Sequence, residues 1–235
     1  QINEVFAKVE NLQFSIDALK LGGGGVFSFA SAPSISQHIL PRAVMRLRGH
    51  FPKLRMNINI LKIEETIDYL LLRKGELVAM SYKIDHPGLV SHLLASGRLV
   101  AVVPQGHVLA AKPAIALVDL VDFPLIGIDP DDPYGKILAA PFAENGLPFD
   151  LSIQARFAQT VSGLVAANLG VAVLDEFSMA ARETPGVVAR PIVEPTPFKT
   201  YGVVNAEVSR SIFVDELIEY LKLEMHEAVA ARHRT

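Results

Sequence analysis

Residues 25–52 read GVFSFASAPSISQHILPRAVMRLRGHFP, and this order of residues spells strand, polar turn and helix. Val26, Ser28 and Ala30 alternate with the bulkier Phe27 and Phe29, as a buried strand allows. Ser31-Ala32-Pro33-Ser34 carries the chemistry of a helix start, with hydroxyls that cap free N–H groups and a proline tolerated in the first turn. Ile35, Ile39, Ala43, Val44 and Leu47 line one helical face. Pro41 interrupts that face and is expected to kink the helix or split it in two. Gly49 and Pro52 end it. A strand that delivers its C-terminal end into a helix N-terminus is where open α/β sheets bind ligands, because unpaired backbone N–H groups face the visitor.

The chain continues in the same rhythm. The alternation of Met56, Ile58 and Ile60 with Asn57 and Asn59 predicts a strand over 54–61. Residues 64–74 form a helix with Ile67, Leu70 and Leu71 inward and Gly75 as its C-cap, and 77–82 is an apolar strand. This β-α-β-α-β order favours a parallel sheet covered by helices. A strand over 99–103 ends at Pro104, and a short helix follows near 118–121. A second β-α-β-α series then begins: strand 124–128, the acidic loop DPDDPYG at 129–135, helix 136–145, strand 151–157, helix 160–168 and strand 171–174. Residues 176–182 read as helix, 187–193 and 200–204 as strands, and the C-terminus as an amphipathic helix. The two similar halves imply two similar subdomains.

Upstream, Ile2, Val5, Val9, Leu12, Ile16 and Leu19 are spaced as a heptad seam, with Glu4, Lys8, Glu10, Asp17 and Lys20 off it. Either this helix packs on its own domain or it is the tail of a dimerising helix. Gly22 to Gly25 then act as a flexible joint, and no Gly-Lys-Ser/Thr follows to make them a phosphate loop.

The 235 residues suffice for one large domain or two small ones, and the formal net charge of −3 argues against this stretch itself gripping nucleic acid. With no cysteine there is neither disulfide nor thiolate metal site, which fits a reducing compartment. No apolar run approaches the roughly 18 residues of a membrane span, and no signal peptide is visible. The seven histidines show no metal-ligand spacing, and G-x-S-x-G, a dinucleotide G-x-G-x-x-G and CxxC are all missing. No cofactor is expected, and the lack of a nucleophile motif speaks against an enzyme. Three places read instead as binding loops: Ala30, Ser31, Ala32, Pro33 and Ser34; Asp129, Asp131 and Tyr134; and Thr160 with Ser162. Each follows a strand's C-terminal end. Ordinary helix capping and a solvated turn are the structural alternatives.

In order along the chain, FSFASAPSISQHILPRAVMRLRGHFPKLRMNI, LLLRKGELVAM, LVAVVPQGHVLA, LVDLVDFPLI and SGLVAANLGVAVLDE resemble the effector-binding domain of LysR-type transcriptional regulators. The resemblance runs from about Gly25 to the C-terminus, and the heptad helix matches the end of the family's linker helix. It implies a periplasmic-binding-protein-like α/β fold, with two Rossmann-like subdomains joined by a two-strand hinge and the effector between them. By that pattern, 1–24 is linker helix and joint, 25–98 plus 203–235 is subdomain I, and 99–202 is subdomain II. The family's hydroxyl position in the first strand–helix loop falls on Ser34, and its second-subdomain helix start on Thr160 and Ser162. One departure is Val78, where the family usually has Asp after Gly-Glu-Leu.

The resemblance further implies a cytoplasmic bacterial regulator that senses a small effector, contacts DNA through a winged helix-turn-helix domain N-terminal to this stretch, self-associates as dimer or tetramer, and has no membrane partner. The helix over 35–49 is the candidate face for self-association. The competing reading is a two-lobed solute-binding protein of a transport system; the heptad helix favours the regulator. Helix starts at Ser34 and at Thr160 with Ser162 would seat a carboxylate, and Asp129, Asp131 and Asp132 an ammonium, so an amino-acid-like effector is expected.

Overall fold

The computed structural model describes residues 26–180 and 185–232. The heptad seam at 2–19 and the joint at 22–25 lie outside the described residues.

The opening stretch forms strand β1 (Val26–Ser31), a short helix α1 (Pro33–Ser36) and helix α2 (Ile39–His50). The run does divide, but at Gln37–His38. Pro41 sits in the first turn of α2, where its missing N–H has no intrahelical acceptor to lose. Phe27 and Phe29 are fully buried and Phe27 meets Phe213 at a ring separation of 5.7 Å, which ties β1 to the C-terminal helix. Ile39, Leu40, Ala43 and Leu47 give α2 its buried face.

Strands β2 (Arg55–Ile60) and β3 (Leu77–Met80), with helix α3 (Ile63–Leu71) between them, pair with β1 on either side and parallel to it. Strand β4 (Leu89–Pro104) is much longer than the five-residue strand read from the sequence. Its first part, Leu89 to Arg98, pairs antiparallel with β9 (Pro197–Asn205), which also pairs antiparallel with β3. One sheet therefore runs β2-β1-β3-β9-β4.

From Leu99 onward β4 changes partners and lies between β7 (Ala172–Asp175) and β8 (Val187–Pro191). Short helix α4 (Leu117–Leu120), strand β5 (Leu125–Gly127), helix α5 (Pro133–Glu144), strand β6 (Leu151–Gln154) and helix α6 (Ala158–Ala166) complete this second half. β5 is parallel to β6, and a parallel bridge from Leu125 to Val171 connects β5 to the strand entering β7. The chain passes between halves at Arg98–Leu99, where the run read as strand 99–103 begins, and just before Pro197, three residues ahead of the run read as strand 200–204. Helix α7 (Ile212–Arg232) returns to pack on α2, burying Phe213, Leu217, Leu221 and Met225.

Residues 176–179 form a turn rather than the expected helix. Asp175 Oδ1 accepts the N–H groups of Phe177 (3.0 Å) and Ser178 (2.9 Å) as a helix N-cap would, but the segment goes no further than a turn, with the Ala180 N–H bonded to the Phe177 carbonyl at 3.2 Å. Among the described residues no helix is long and apolar enough to cross a membrane, and no cluster of His, Cys, Asp or Glu is arranged to hold a metal.

Candidate functional site

Five strands, β1, β2, β3, β5 and β6, run parallel within their sheets and end at one cleft between the two halves. Its walls are the residues that follow those ends: Ala32, Pro33 and Ser34 after β1; Leu61, Lys62 and Ile63 after β2; Ser81 after β3; Asp132 and Tyr134 after β5; Arg156, Phe157 and Ala158 after β6. This is the location that open α/β sheets use for ligands. A more polar chamber of about 320 Å³ adjoins it and shares Pro33, Ser34 and Ala158.

Ser34 is buried and its Oγ lies 2.7 Å from Oγ of Ser81, so strand ends β1 and β3 share a hydroxyl pair at the cleft. Lys62 Nζ reaches Asp132 Oδ2 at 3.3 Å, joining the two halves. Asp132 Oδ1 also accepts the Tyr134 N–H at 2.9 Å and so caps α5. Gln37 Nε2 donates to Gln159 Oε1 at 2.5 Å, a second bond across the cleft. Tyr134 donates its hydroxyl to Asp175, whose carboxylate also takes the Ser178 hydroxyl at 2.5 Å. Burial, and then the Asp175 charge, push the Tyr134 phenol well above its ordinary range, so it remains a donor. Gly135 keeps this loop tight: a Cβ there would collide with the Asp129 carbonyl.

Of the residues singled out from the sequence, Ala32, Pro33, Ser34 and Tyr134 line the main cleft. Asp129 lines its extension beside Lys62 and Arg156, where its Oδ1 accepts the Asp131 N–H at 2.9 Å. Ser162 lines the polar chamber. Ala30 and Ser31 are buried in β1, and Asp131 and Thr160 are exposed; none of these four borders the cleft or its chamber. Helix α6 begins at Ala158, two residues before Thr160, with Phe157 as its N-cap. Asp132, read from the sequence as a partner for the effector's ammonium, also lines the main cleft. Lys62, Ser81 and Arg156 were not singled out from the sequence; all three stand just beyond a strand's C-terminal end, and that rule, applied to β2, β3 and β6 as well, points to them.

A fold of two α/β halves with a ligand cleft between them is that of the periplasmic-binding-protein-like sensor domains. A profile of the LysR substrate binding domain matches residues 21–225, and the chain belongs to that family. Among curated relatives, the HTH-type transcriptional regulator DgcR of a Pseudoalteromonas species is 21% identical over 178 residues, covering 76% of this chain and 61% of its own. The chain thus spans less than two thirds of that regulator's length. The BenM effector binding domain with its effector benzoate superposes with a TM-score of 0.74 at 21% identity, over 86% of this chain and 93% of that one. The effector binding domain of QuiR in complex with shikimate gives 0.71 at 18% identity, over 86% and 98%.

Proposed function

We propose that this chain is the small-molecule-sensing part of a cytoplasmic LysR-type transcriptional regulator, which contacts DNA through a winged helix-turn-helix domain N-terminal to it and holds a small carboxylate-bearing effector in the inter-lobe cleft. The observation that carries the reading is the cleft itself, where five strand ends from both halves bring a hydroxyl pair and two cations, Lys62 and Arg156, to an otherwise largely apolar pocket. Such a lining suits a small anion with an apolar body: the hydroxyls and cations orient the charge, and the apolar walls bury the remainder. Benzoate and shikimate, the ligands of the BenM and QuiR domains, are both small carboxylates. The family's known members regulate transcription rather than catalyse, which supports a sensor over an enzyme. An amino-acid-like effector is the narrower form of the proposal; its ammonium would meet Asp129 at the rim, since Asp131 stands outside the lining.

A thermal-shift screen of small carboxylates tests the reading. A true effector at a hundred times its Kd should stabilise the domain by about 2.7 kcal/mol. Ser34→Ala should weaken its binding by about 0.5–1.5 kcal/mol for one neutral hydrogen bond, and by more if the bond is to the carboxylate. Unchanged affinity in Ser34→Ala, or an effector without an acidic group, defeats the proposed site or its chemistry.

A further inference from the structure

The geometry points to Asp132 as a built-in stand-in for the effector's carboxylate, one that occupies Lys62 until a ligand anion replaces it. The inference rests on the carboxylate reading above and concerns what that ligand must displace.

Lys62 follows β2 in one half of the molecule and Asp132 opens α5 in the other, and both line the cleft. Their 3.3 Å pair therefore puts a protein carboxylate on a cation that faces the ligand space. The side chains are 32% and 23% exposed, so solvent reaches the pair. A single ion pair that solvent reaches is weak, and a ligand carboxylate can outcompete it. Arg156 lines the same cleft and has no carboxylate partner among the described residues; its guanidinium lies 5.6 Å from the Phe157 ring centre. The cleft thus holds one cation already neutralised by Asp132 and one open to a visitor.

Asp132 divides its two oxygens between separate tasks. Oδ1 caps the Tyr134 N–H, and Oδ2 meets Lys62. The cap requires only an acceptor, whereas the ion pair requires charge. Replacing Oδ2 with a ligand oxygen removes an ionic tie between the halves and leaves α5 capped. Ligand binding then alters the preference between lobe arrangements, as it must if it is to be read elsewhere in the protein.

Asparagine caps helices as well as aspartate, so Asp132→Asn removes the competing charge and retains the cap. Wild type, Asp132→Asn, and Asp132→Asn combined with Lys62→Met are titrated calorimetrically with small carboxylates that include benzoate and shikimate, and with benzamide as the uncharged control. For a carboxylate that binds, Asp132→Asn is expected to tighten affinity about fivefold, the equivalent of the lost competitor. Adding Lys62→Met should cancel the gain, and benzamide should not distinguish the first two proteins. Equal carboxylate affinity in wild type and Asp132→Asn overturns the inference and leaves the carboxylate reading standing. If no carboxylate binds any of the three proteins, the reading fails and the inference falls with it.

Discussion

Arg210 places Nη1 3.1 Å from Nε2 of His92, and because a guanidinium only donates, His92 must offer that nitrogen as a lone pair. The neutral ring is thus built into the folded state. Burial first, then the Arg210 and Lys222 charges, hold His92 below its ordinary value of 6.5, with Asp215 opposing. In the unfolded chain the ring regains its ordinary affinity for protons, so near and below pH 6.5 the unfolded state binds more of them. Stability from this residue is therefore present at higher pH and lost as the pH falls through that range. Urea midpoints should drop between pH 7.5 and 5.5 in wild type, and His92→Gln should lessen the drop; an unaltered slope would show that the proton goes elsewhere. Such residue-level facts were only partly legible in the sequence. Ser34 was marked in advance by its hydroxyl beside a proline at a helix start. Lys62 and Arg156 were not, because surface cations after a strand look the same whether they face solvent or a cleft. Thr160 falls inside α6 rather than at its start, because the helix begins at Ala158 behind an N-cap, Phe157, that has no capping side chain for a sequence reading to find.

At the scale of elements, β4 is the member the sequence concealed. LVAVVP at its end is continuous apolar strand, whereas SHLLASGR before it mixes polar residues with a glycine that signals a turn. That glycine is instead required by a neighbour. A Cβ on Gly97 would collide with the Glu176 carboxylate, and Phe177 Cζ would lie at 2.9 Å. Glu176 Oε1 accepts the Arg98 N–H at 2.8 Å, and the Glu176 N–H donates to the Arg98 carbonyl at 3.1 Å, where β4 leaves one sheet for the other. Gly97→Ala should accordingly destabilise by about 1–3 kcal/mol through overpacking, seen as a lower unfolding temperature. A midpoint equal to wild type would mean that the crossing yields more readily than its buried contacts suggest. The β-α order of the first half was legible because its turns and apolar periods agree. Residues 176–179 were not, since an acidic residue ahead of a run of helix formers looks the same in sequence whether it caps a helix or, as Asp175 does here, a turn.

For the whole molecule, the remaining question is how copies of the chain meet. The seam from Ile2 to Leu19 is short for an independent coiled coil, because it holds fewer than the roughly three to four heptads over which such a seam is normally sustained. Folded surface should therefore contribute most of the contact in the proposed dimer or tetramer. Helix α2 is the candidate. One face is used up by Ile39, Leu40, Ala43 and Leu47, yet Met45 on another remains 66% exposed. At the edge of its sheet, β2 has one neighbour in the sheet order, with Ile58 at 42% and Ile60 at 50% exposure. A charge at Met45 would be harmless to a monomer, since exposed substitutions of this kind usually stay within about ±0.5 kcal/mol, but it would have to be desolvated in an interface. Sedimentation at micromolar protein should show a dimer or larger species in wild type. Met45→Glu should shift it toward monomer while the monomer's unfolding midpoint holds. A monomeric wild type would defeat self-association for this stretch, and an unshifted Met45→Glu would move the interface off α2.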